Sequence, residues 1–239
     1  MVSTLVAMVT DLGDSAVLVP ISLAVFILLW LTHDRRTAFA WAMAIGVCCV
    51  ATVVLKVALR PCDRPLITDV LQNPSGHAAF STAVYGALTL LVVGRLRGRR
   101  ARWAALLLGI VWIAAIAASR VAESAHTIAE IVLGVAIGAA SLLVFAAAGH
   151  PAPKSRRSLA LIGVLIGIVL IAQLGHRAPA ERMIHQLAWL IYDTVGLCRA
   201  TGASLEDGKL AGDAPTPAVV SWAAWPDDSQ APRGEEWLN

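Results

Sequence analysis

Residues 103–148 read WAALLLGIVWIAAIAASRVAESAHTIAEIVLGVAIGAASLLVFAAA, two apolar runs separated by the short polar segment 120–126. Each run has the length of a helix that crosses the hydrocarbon core of a bilayer, which takes roughly 17 to 25 residues. Four more such runs occur in the chain, and the polar segments between them are short. The six predicted membrane helices lie at 15–32, 38–59, 77–94, 103–119, 127–148 and 158–175.

The composition is that of an integral membrane protein. Of the 239 residues, 58% are hydrophobic and 15% are charged, and the mean hydropathy is +0.72. These values exclude a water-soluble enzyme and a disordered chain, because both need far more polar side chains. No Lys or Arg precedes Arg35, so the first apolar run lacks the basic region of a cleaved signal peptide and is expected to be retained. We therefore predict an all-α fold, a polytopic bundle of six transmembrane helices formed by residues 1–176.

The tail, residues 177–239, differs from the membrane domain in composition. Apolar residues recur in it at helical spacing, which predicts an amphipathic helix at 182–199 on the membrane surface, with an ordinary soluble helix as the alternative. From residue 201 onward Gly, Pro, Ala and acidic residues dominate without periodicity, so we expect a flexible acidic extension. The helical apolar positions are Met183, Ile184, Leu187, Leu190, Ile191 and Val195.

Basic residues are distributed unevenly between the connections. The first, third and fifth connections together contain ten Lys and Arg residues, whereas the second and fourth contain only Arg60, Arg64 and Arg120. By the positive-inside rule, the first set faces the cytoplasm and the second set faces the exterior. With six spans the tail also lies outside, and it stays inside if 158–175 does not cross. Because the basic residues flank the spans, we expect lipid head groups and no nucleic acid as their partners.

Two small-residue motifs, Gly134xxxGly138 and Gly163xxxGly167, lie within the predicted spans. The missing side chains let helix backbones approach closely. We expect both motifs to pack within one bundle, with homodimerisation as the alternative.

The four cysteines show no metal-binding spacing. The adjacent Cys48 and Cys49 lie in an apolar run and are expected to act as small packing residues. Cys62 lies in a connection and Cys198 in the tail. A disulfide between these two is left open, because spacing does not establish it.

Polar residues gather at the span ends that the charge distribution places outside. Lys56 is in the last turn of the second span, Arg120 directly follows the fourth, and Arg64 lies in the second connection. Ammonium and guanidinium groups are suited to bind phosphate oxygens, and ionisable groups at membrane depth are costly and usually functional. Arg60 competes with Arg64 for the same role.

The third span begins with Pro74, Ser75, Gly76 and His77. Proline fits the start of a helix, and the first N–H groups of a helix have no partner within it. We expect the N–H groups of these last three residues to be free and to bind an anion, which Gly76 lets approach closely because it has no side chain. Ser75 and Gly76 are therefore predicted to bind phosphate together with the basic side chains.

Two histidines supply reactive groups. Glu130 follows His126 by four residues, so the two share one face of a helix. The carboxylate would hold Nδ1–H of His126 and leave Nε2 free to attack phosphorus as a nucleophile. His77 would protonate the leaving oxygen and then activate water. Cationic side chains and N–H groups meet the charge on the phosphoryl oxygens, so we expect no metal and no cofactor.

At these residues the sequence resembles the type 2 phosphatidic acid phosphatase superfamily, whose signatures are KxxxxxxRP, PSGH and SRxxxxxHxxxD. The second signature is complete at 74–77, and the third matches from Ser119 to His126. The resemblance implies a six-helix core like that of the vanadium haloperoxidases. It also implies a nucleophilic His126, a general acid at His77 and phosphate binding by the other motif residues.

Two positions depart from the signatures. Counting from Lys56, the Arg of the first signature falls on Asp63, whereas Arg64 comes one residue late and Arg60 three residues early. A one-residue bulge would let Arg64 take this role. Glu130 stands where the third signature has Asp, which adds one methylene and keeps the charge.

These observations predict an integral membrane phosphatase that needs no metal. Its substrate would be a phosphomonoester or pyrophosphate of the undecaprenyl diphosphate or phosphatidic acid class, hydrolysed through a phosphohistidine at the outer face of a bacterial cytoplasmic membrane. Arg outnumbers Lys 16 to 3, which is typical of GC-rich bacterial genomes. The alternatives are a lipid phosphotransferase and a weakened relative that only binds a lipid phosphate, and the oligomeric state stays open. Four histidines receive no role: His33, His150, His176 and His185.

Overall fold

The computed structural model describes residues 2–32, 34–59, 73–147, 156–173 and 180–194. These segments are helical apart from short turns and contain no strand, so the predicted all-α class is confirmed for them. The helices are α1 (Val2–Asp11), α2 (Ser15–Leu31), α3 (Arg35–Leu59), α4 (Gly76–Val93), α5 (Arg99–Ala122), α6 (Ile128–Ala147), α7 (Arg156–Gln173) and α8 (Ala180–Thr194).

Among the described residues, five helical stretches are long and apolar enough to cross a membrane. The protein is therefore a multi-pass membrane protein. The described apolar part of α7, Ala160–Gln173, is shorter, so the sixth span stays a prediction. The five stretches are Thr4–Leu31, Arg35–Leu59, Gly76–Val93, Arg99–Ala122 and Ile128–Ala147.

The central helix of the bundle is α4, which packs against α2, α3, α5 and α6. One core cluster joins α2, α3, α4 and α6 around the fully buried Trp41. The Trp41 indole donates a hydrogen bond of 3.1 Å to the Ser22 carbonyl and meets the Phe145 ring edge-on at 6.1 Å. This core fixes the positions of the helices whose ends carry the polar residues.

The two ends of the bundle differ in chemistry. One end contains the N-termini of α2, α4 and α6 and the C-termini of α3 and α5, because side chains at these termini contact one another. The opposite end contains the Arg residues of the first and third connections. Those described are Arg35, Arg36, Arg95, Arg97, Arg99, Arg100 and Arg102.

Of the two small-residue motifs, one packs as predicted. A Cβ on Gly134 would lie 2.5 Å from the Ser75 carbonyl oxygen, and one on Gly138 would lie 2.5 Å from the Ala79 carbonyl oxygen, so α6 needs both glycines to approach α4. For Gly163xxxGly167 nothing described lies within 4 Å of a Cβ at either glycine, so packing of this motif within the bundle stays a prediction. The described contacts of α7 with the core of α2 include Ile162, Ile166 and Val169, which lie on a neighbouring face of the helix.

Two helices, α1 and α8, are not among the six predicted spans. The short α1, which the sequence did not predict, packs against α5, and Thr10 Oγ1 donates a hydrogen bond of 2.8 Å to Ser119 Oγ. The predicted tail helix is observed as α8, which belongs to one compact unit with the bundle, Met1–Arg199. In α8 the Tyr192 hydroxyl donates to the Val57 carbonyl at 3.2 Å. Its interfacial role stays a prediction.

Cys48 is buried and Cys49 half-buried, and both are free thiols, as expected of packing residues. Cys62 and Cys198 lie outside the described residues, as do Arg60 and Arg64. A disulfide between Cys62 and Cys198 and the choice between the two arginines therefore stay open.

Candidate active site

His126 and Glu130 form a carboxylate–imidazole pair at the start of α6. Their side chains are 6% and 8% exposed, and His126 Nδ1 lies 3.0 Å from Glu130 Oε2. The turn after α5 brings His126 to this position. Ser124 has φ of 53°, and the N–H groups of Ser124 and Ala125 donate to carbonyls of the last turn of α5. This is the Schellman pattern of helix termination, with serine where glycine is usual.

Glu130 is held by backbone donors as well as by the imidazole. Its Oε2 accepts from the Thr127 N–H at 3.1 Å, and its Oε1 accepts from the Asn73 N–H at 2.7 Å. The first of these is local to α6, and the second joins the start of α6 to the segment before α4. The longer side chain of Glu, compared with the Asp of the signature, therefore reaches both His126 and Asn73.

The protonation of His126 is controlled by burial and by the charges around it. Burial lowers the pKa of His126 below its ordinary value of 6.5, and the positive charges of Lys56 and Arg120 lower it further. The hydrogen bond and the negative charge of Glu130 act in the opposite direction. The net lowering favours a neutral imidazole, which is the form that can attack phosphorus.

Lys56 and Arg120 bring positive charge to the same end of the bundle. Lys56, only 5% exposed, donates a hydrogen bond of 2.9 Å from Nζ to Asn73 Oδ1. Arg120, in the last turn of α5, donates from Nη1 to Glu123 Oε2 at 2.9 Å. Both charges act on His126, which places them near the nucleophile.

The N-terminus of α4 differs in one respect from the sequence expectation. Ser75 is the N-cap of α4, and its hydroxyl accepts from the Ala78 N–H at 3.4 Å. The expectation of a free N–H at Ser75 is wrong, because this group donates to the Glu130 carbonyl at 3.1 Å. Within the described part of the chain, the N–H groups of Gly76 and His77 have no acceptor, so two donors are left for an anion.

The second histidine, His77, has a partner that sequence reasoning missed. Its Nε2 lies 3.3 Å from Asp14 Oδ2. Asp14 is the N-cap of α2, and an Asp–Ser pair directly before an apolar run is a known helix-start signal. That signal predicts the cap but not the contact with His77. Asn73, which bridges Lys56 and Glu130, was also missed, although it directly precedes the PSGH motif.

The structure thus brings Lys56, Ser75, Gly76, His77, Arg120, His126 and Glu130 to one end of the bundle. Arg64 lies outside the described residues. In the described segments no group of three or more His, Cys, Asp or Glu side chains is arranged to hold a metal ion. The arrangement can bind an anion, attack it with an imidazole and exchange a proton with it.

Comparisons with known proteins agree with this chemistry. The family model of the PAP2 superfamily matches residues 37–152, and the superfamily consists generally of phosphatases. An uncharacterized 22.5 kDa protein in the cps region of Klebsiella pneumoniae is 28% identical over 186 residues, which cover 76% of this chain and 88% of that protein. No solved structure matches. The PAP2 match over residues 37–152 includes every described motif residue of the site, and it supports the resemblance to the type 2 phosphatidic acid phosphatase superfamily found in the sequence.

Proposed function

We propose that the protein hydrolyses a phosphomonoester or pyrophosphate bond of a membrane lipid, through a phosphohistidine formed on His126. The observation that carries the proposal is the buried pair of His126 and Glu130 beside two cationic side chains. The pair leaves Nε2 of His126 as the free ring nitrogen. The match to the PAP2 family model independently supports a phosphatase acting on lipid phosphates.

In the first step the lone pair of His126 Nε2 forms a bond to phosphorus, and the bond from phosphorus to the leaving oxygen breaks. Glu130 stabilises the positive charge that the imidazole gains. The leaving oxygen takes a proton from His77. Lys56, Arg120 and the free N–H groups at the start of α4 would stabilise the charge on the phosphoryl oxygens.

In the second step water attacks the phosphohistidine. The now neutral His77 accepts a proton from the water, the new oxygen–phosphorus bond forms, and the bonding pair returns to Nε2 of His126. Inorganic phosphate leaves, and both histidines regain their starting states.

The lipid classes favoured are undecaprenyl diphosphate and phosphatidic acid. In the orientation set by the Arg-rich connections, the site faces the exterior of a bacterial cytoplasmic membrane. The site lies at helix ends, where a bilayer places its head groups, so a lipid phosphate reaches it without leaving the membrane. No described residue distinguishes between the two lipid tails.

A phosphotransferase would use the same phosphohistidine with an acceptor other than water. A weakened relative that only binds lipid phosphate would be expected to have lost the supporting contacts of the nucleophile. The intact contact of 3.0 Å between His126 and Glu130 favours an active enzyme.

The test is release of inorganic phosphate by the purified full-length protein in detergent, with EDTA present, from undecaprenyl diphosphate and phosphatidic acid. We expect release that His126→Ala abolishes and that EDTA does not affect. His176→Ala, a histidine without an assigned role, is the matched control and should retain activity. Release by His126→Ala would rule out this nucleophile. Transfer of the phosphoryl group to an added alcohol, without hydrolysis, would identify a phosphotransferase.

A further inference from the structure

The N-terminal segment contributes a carboxylate to the site through Asp14. Its Oδ1 accepts a hydrogen bond of 2.7 Å from the Ala16 N–H, and its Oδ2 lies 3.3 Å from His77 Nε2. Asp14 is only 4% exposed. One carboxylate oxygen therefore caps α2 while the other contacts an imidazole of the proposed catalytic pair.

The turn between α1 and α2 is fixed against the bundle, so the position of this carboxylate is set by packing. The Tyr85 hydroxyl donates to the Leu12 carbonyl at 2.7 Å. A Cβ on Gly13 would lie only 2.5 Å from Ile116 Cγ2, so the backbone of the turn lies directly on α5. These contacts hold the turn from both α4 and α5.

The same turn shows which edge of the His77 ring faces Asp14. The Cβ position of Gly13 lies 3.6 Å from His77 Cδ2, and Nε2 is the atom nearest Asp14. The Cδ2–Nε2 edge therefore faces the turn. In an imidazole ring Nδ1 is the atom opposite this edge, so Nδ1 points away from the turn.

We propose that Asp14 is a positioning residue for His77: by holding Nε2–H, it makes Nδ1 the nitrogen that exchanges the catalytic proton. This inference rests on the proposed function. In bond cleavage Nδ1–H gives its proton to the leaving oxygen, and Nε2–H stays on Asp14. In hydrolysis the same Nδ1 accepts a proton from water. The arrangement mirrors that of His126, whose Nδ1 is held by Glu130 and whose Nε2 reacts.

Asp14 lies outside residues 37–152, the segment that the PAP2 family model matches. The inference therefore depends on the fold of this chain, in which α1 and α2 bring the carboxylate to α4. It also gives the short α1 a function, because α1 anchors the turn that carries Asp14.

The first test compares Asp14→Asn with the wild type, as full-length proteins in detergent. Asn caps a helix as well as Asp does. In Asp14→Asn the amide oxygen would accept the hydrogen bond of the Ala16 N–H. The amide NH₂ group would then face His77 Nε2 and favour the wrong tautomer. Asp34→Asn is the matched control, because Asp34 precedes α3 in the same way, accepts from Thr37 at 2.9 Å and lies at the opposite end of the bundle.

A comparison of two substrates distinguishes a loss of proton donation by His77 from a general loss of activity. Phosphatidic acid releases an alkoxide, which needs a proton, whereas farnesyl diphosphate releases a phosphate monoester, which does not. For Asp14→Asn we expect kcat/KM to fall roughly 100-fold with phosphatidic acid but less than about 3-fold with farnesyl diphosphate, since general acid catalysis contributes on this scale. Asp34→Asn should match the wild type with both. Equal losses with the two lipids, or no loss, would overturn the inference.

The second test does not depend on turnover. Nitrogen-15 NMR of histidine-labelled protein reports the tautomer of each ring, and the signals of His77 are those lost in His77→Gln. We expect the Nε2–H tautomer in the wild type and the Nδ1–H tautomer in Asp14→Asn. An identical His77 tautomer in both proteins contradicts the inference. If the wild type releases phosphate from no lipid, the proposed function fails, while the tautomers still decide the role of Asp14.

Discussion

The nucleophile His126 is subject to opposing influences on its charge. Burial and the cations Lys56 and Arg120 lower its pKa, and Glu130 raises it, with a net lowering. The neutral imidazole, which is the attacking form, therefore persists to lower pH than in a free histidine. The carboxylate of Glu130 also orients the ring and stabilises its positive charge. Its effect on the pKa appears in the pH profile, and its effect on catalysis appears in kcat, so one variant can measure both.

Glu130→Gln should lower kcat and also move the pH profile. Loss of the carboxylate removes the influence that raises the pKa of His126, so this pKa falls further and the acid limb of kcat/KM shifts to lower pH. At the same time kcat should fall by about 100-fold or more, because the charge developing on the ring is no longer stabilised. Both enzymes are assayed with the same lipid, so its own ionisation contributes equally. A shift of the acid limb to higher pH would contradict this account.

Arg120 is predicted to bind the substrate phosphate, yet it contacts Glu123 at 2.9 Å. A carboxylate at this position competes with phosphate for the guanidinium. Glu123→Gln keeps the size of the side chain and removes its charge, so we expect KM to fall several-fold with little change in kcat. Inhibition by inorganic phosphate should strengthen in parallel. A higher KM would mean that Glu123 holds Arg120 in its binding position.

At the scale of elements, the site depends on how closely α6 approaches α4. Glu130 on α6 bonds to Asn73, and its carbonyl accepts from Ser75, so a small separation of the two helices would break several contacts. The close approach is possible because Gly134 and Gly138 lack side chains.

Gly138→Ala should therefore destabilise the protein, whereas Gly163→Ala should not. The new Cβ of Gly138→Ala would lie 2.5 Å from the Ala79 carbonyl oxygen, a backbone atom that cannot move cheaply, and overpacking of this kind costs about 1–3 kcal/mol. A Cβ at Gly163 meets nothing described within 4 Å, so alanine there should stabilise α7 by up to about 1 kcal/mol. Thermal unfolding in detergent measures both. Equal changes in Tm would show that the contact with α4 is unimportant.

The element boundaries follow from the sequence, because an apolar run and its polar flanks are local properties. Thus α2, at Ser15–Leu31, matches the predicted 15–32, whereas α5 extends several residues beyond both ends of 103–119. Arginine favours helices, so the predicted loop residues before and after this run join the helix. The pair of His126 and Glu130 was also predictable, since a spacing of four residues is one helical turn.

Contacts between distant segments were not predictable in the same way. Asp14 and His77 are separated in the sequence by α2, α3 and the connection after α3, and the packing of α1 on α5 and of α2 on α4 brings them together. Likewise the Ser75 N–H was expected to be free, because helix rules describe the helix alone and not the Glu130 carbonyl that approaches it. Local rules thus predict which polar residues lie at a helix end, whereas the partner of each residue depends on how the helices pack.

At the scale of the whole molecule, the side of the membrane on which the tail lies depends on whether α7 crosses the membrane. Helix α6 begins at the end of the bundle that contains the candidate active site, where Glu130 lies, and it ends at Ala147 at the opposite end. Tyr192 in α8 lies at the end with the active site again, because its hydroxyl donates a hydrogen bond to the carbonyl of Val57, the residue after Lys56. Between these points the 18 residues of α7 have a length of about 27 Å, close to the thickness of the hydrocarbon core.

We therefore expect α7 to cross the membrane and the tail to lie outside. Reporter fusions in bacterial cells test this: a fluorescent protein fused after residue 150 should fluoresce in the cytoplasm, and alkaline phosphatase fused after residue 178 should be active outside. Fusions after residues 96 and 124 are controls for the two sides, since the Arg-rich third connection is expected inside and the turn that carries Ser124 outside. Activity after 124 but not after 178 would mean that α7 does not cross. Reversal of all four reporters would instead place the active site in the cytoplasm, where the substrate would have to be a lipid phosphate of the inner leaflet.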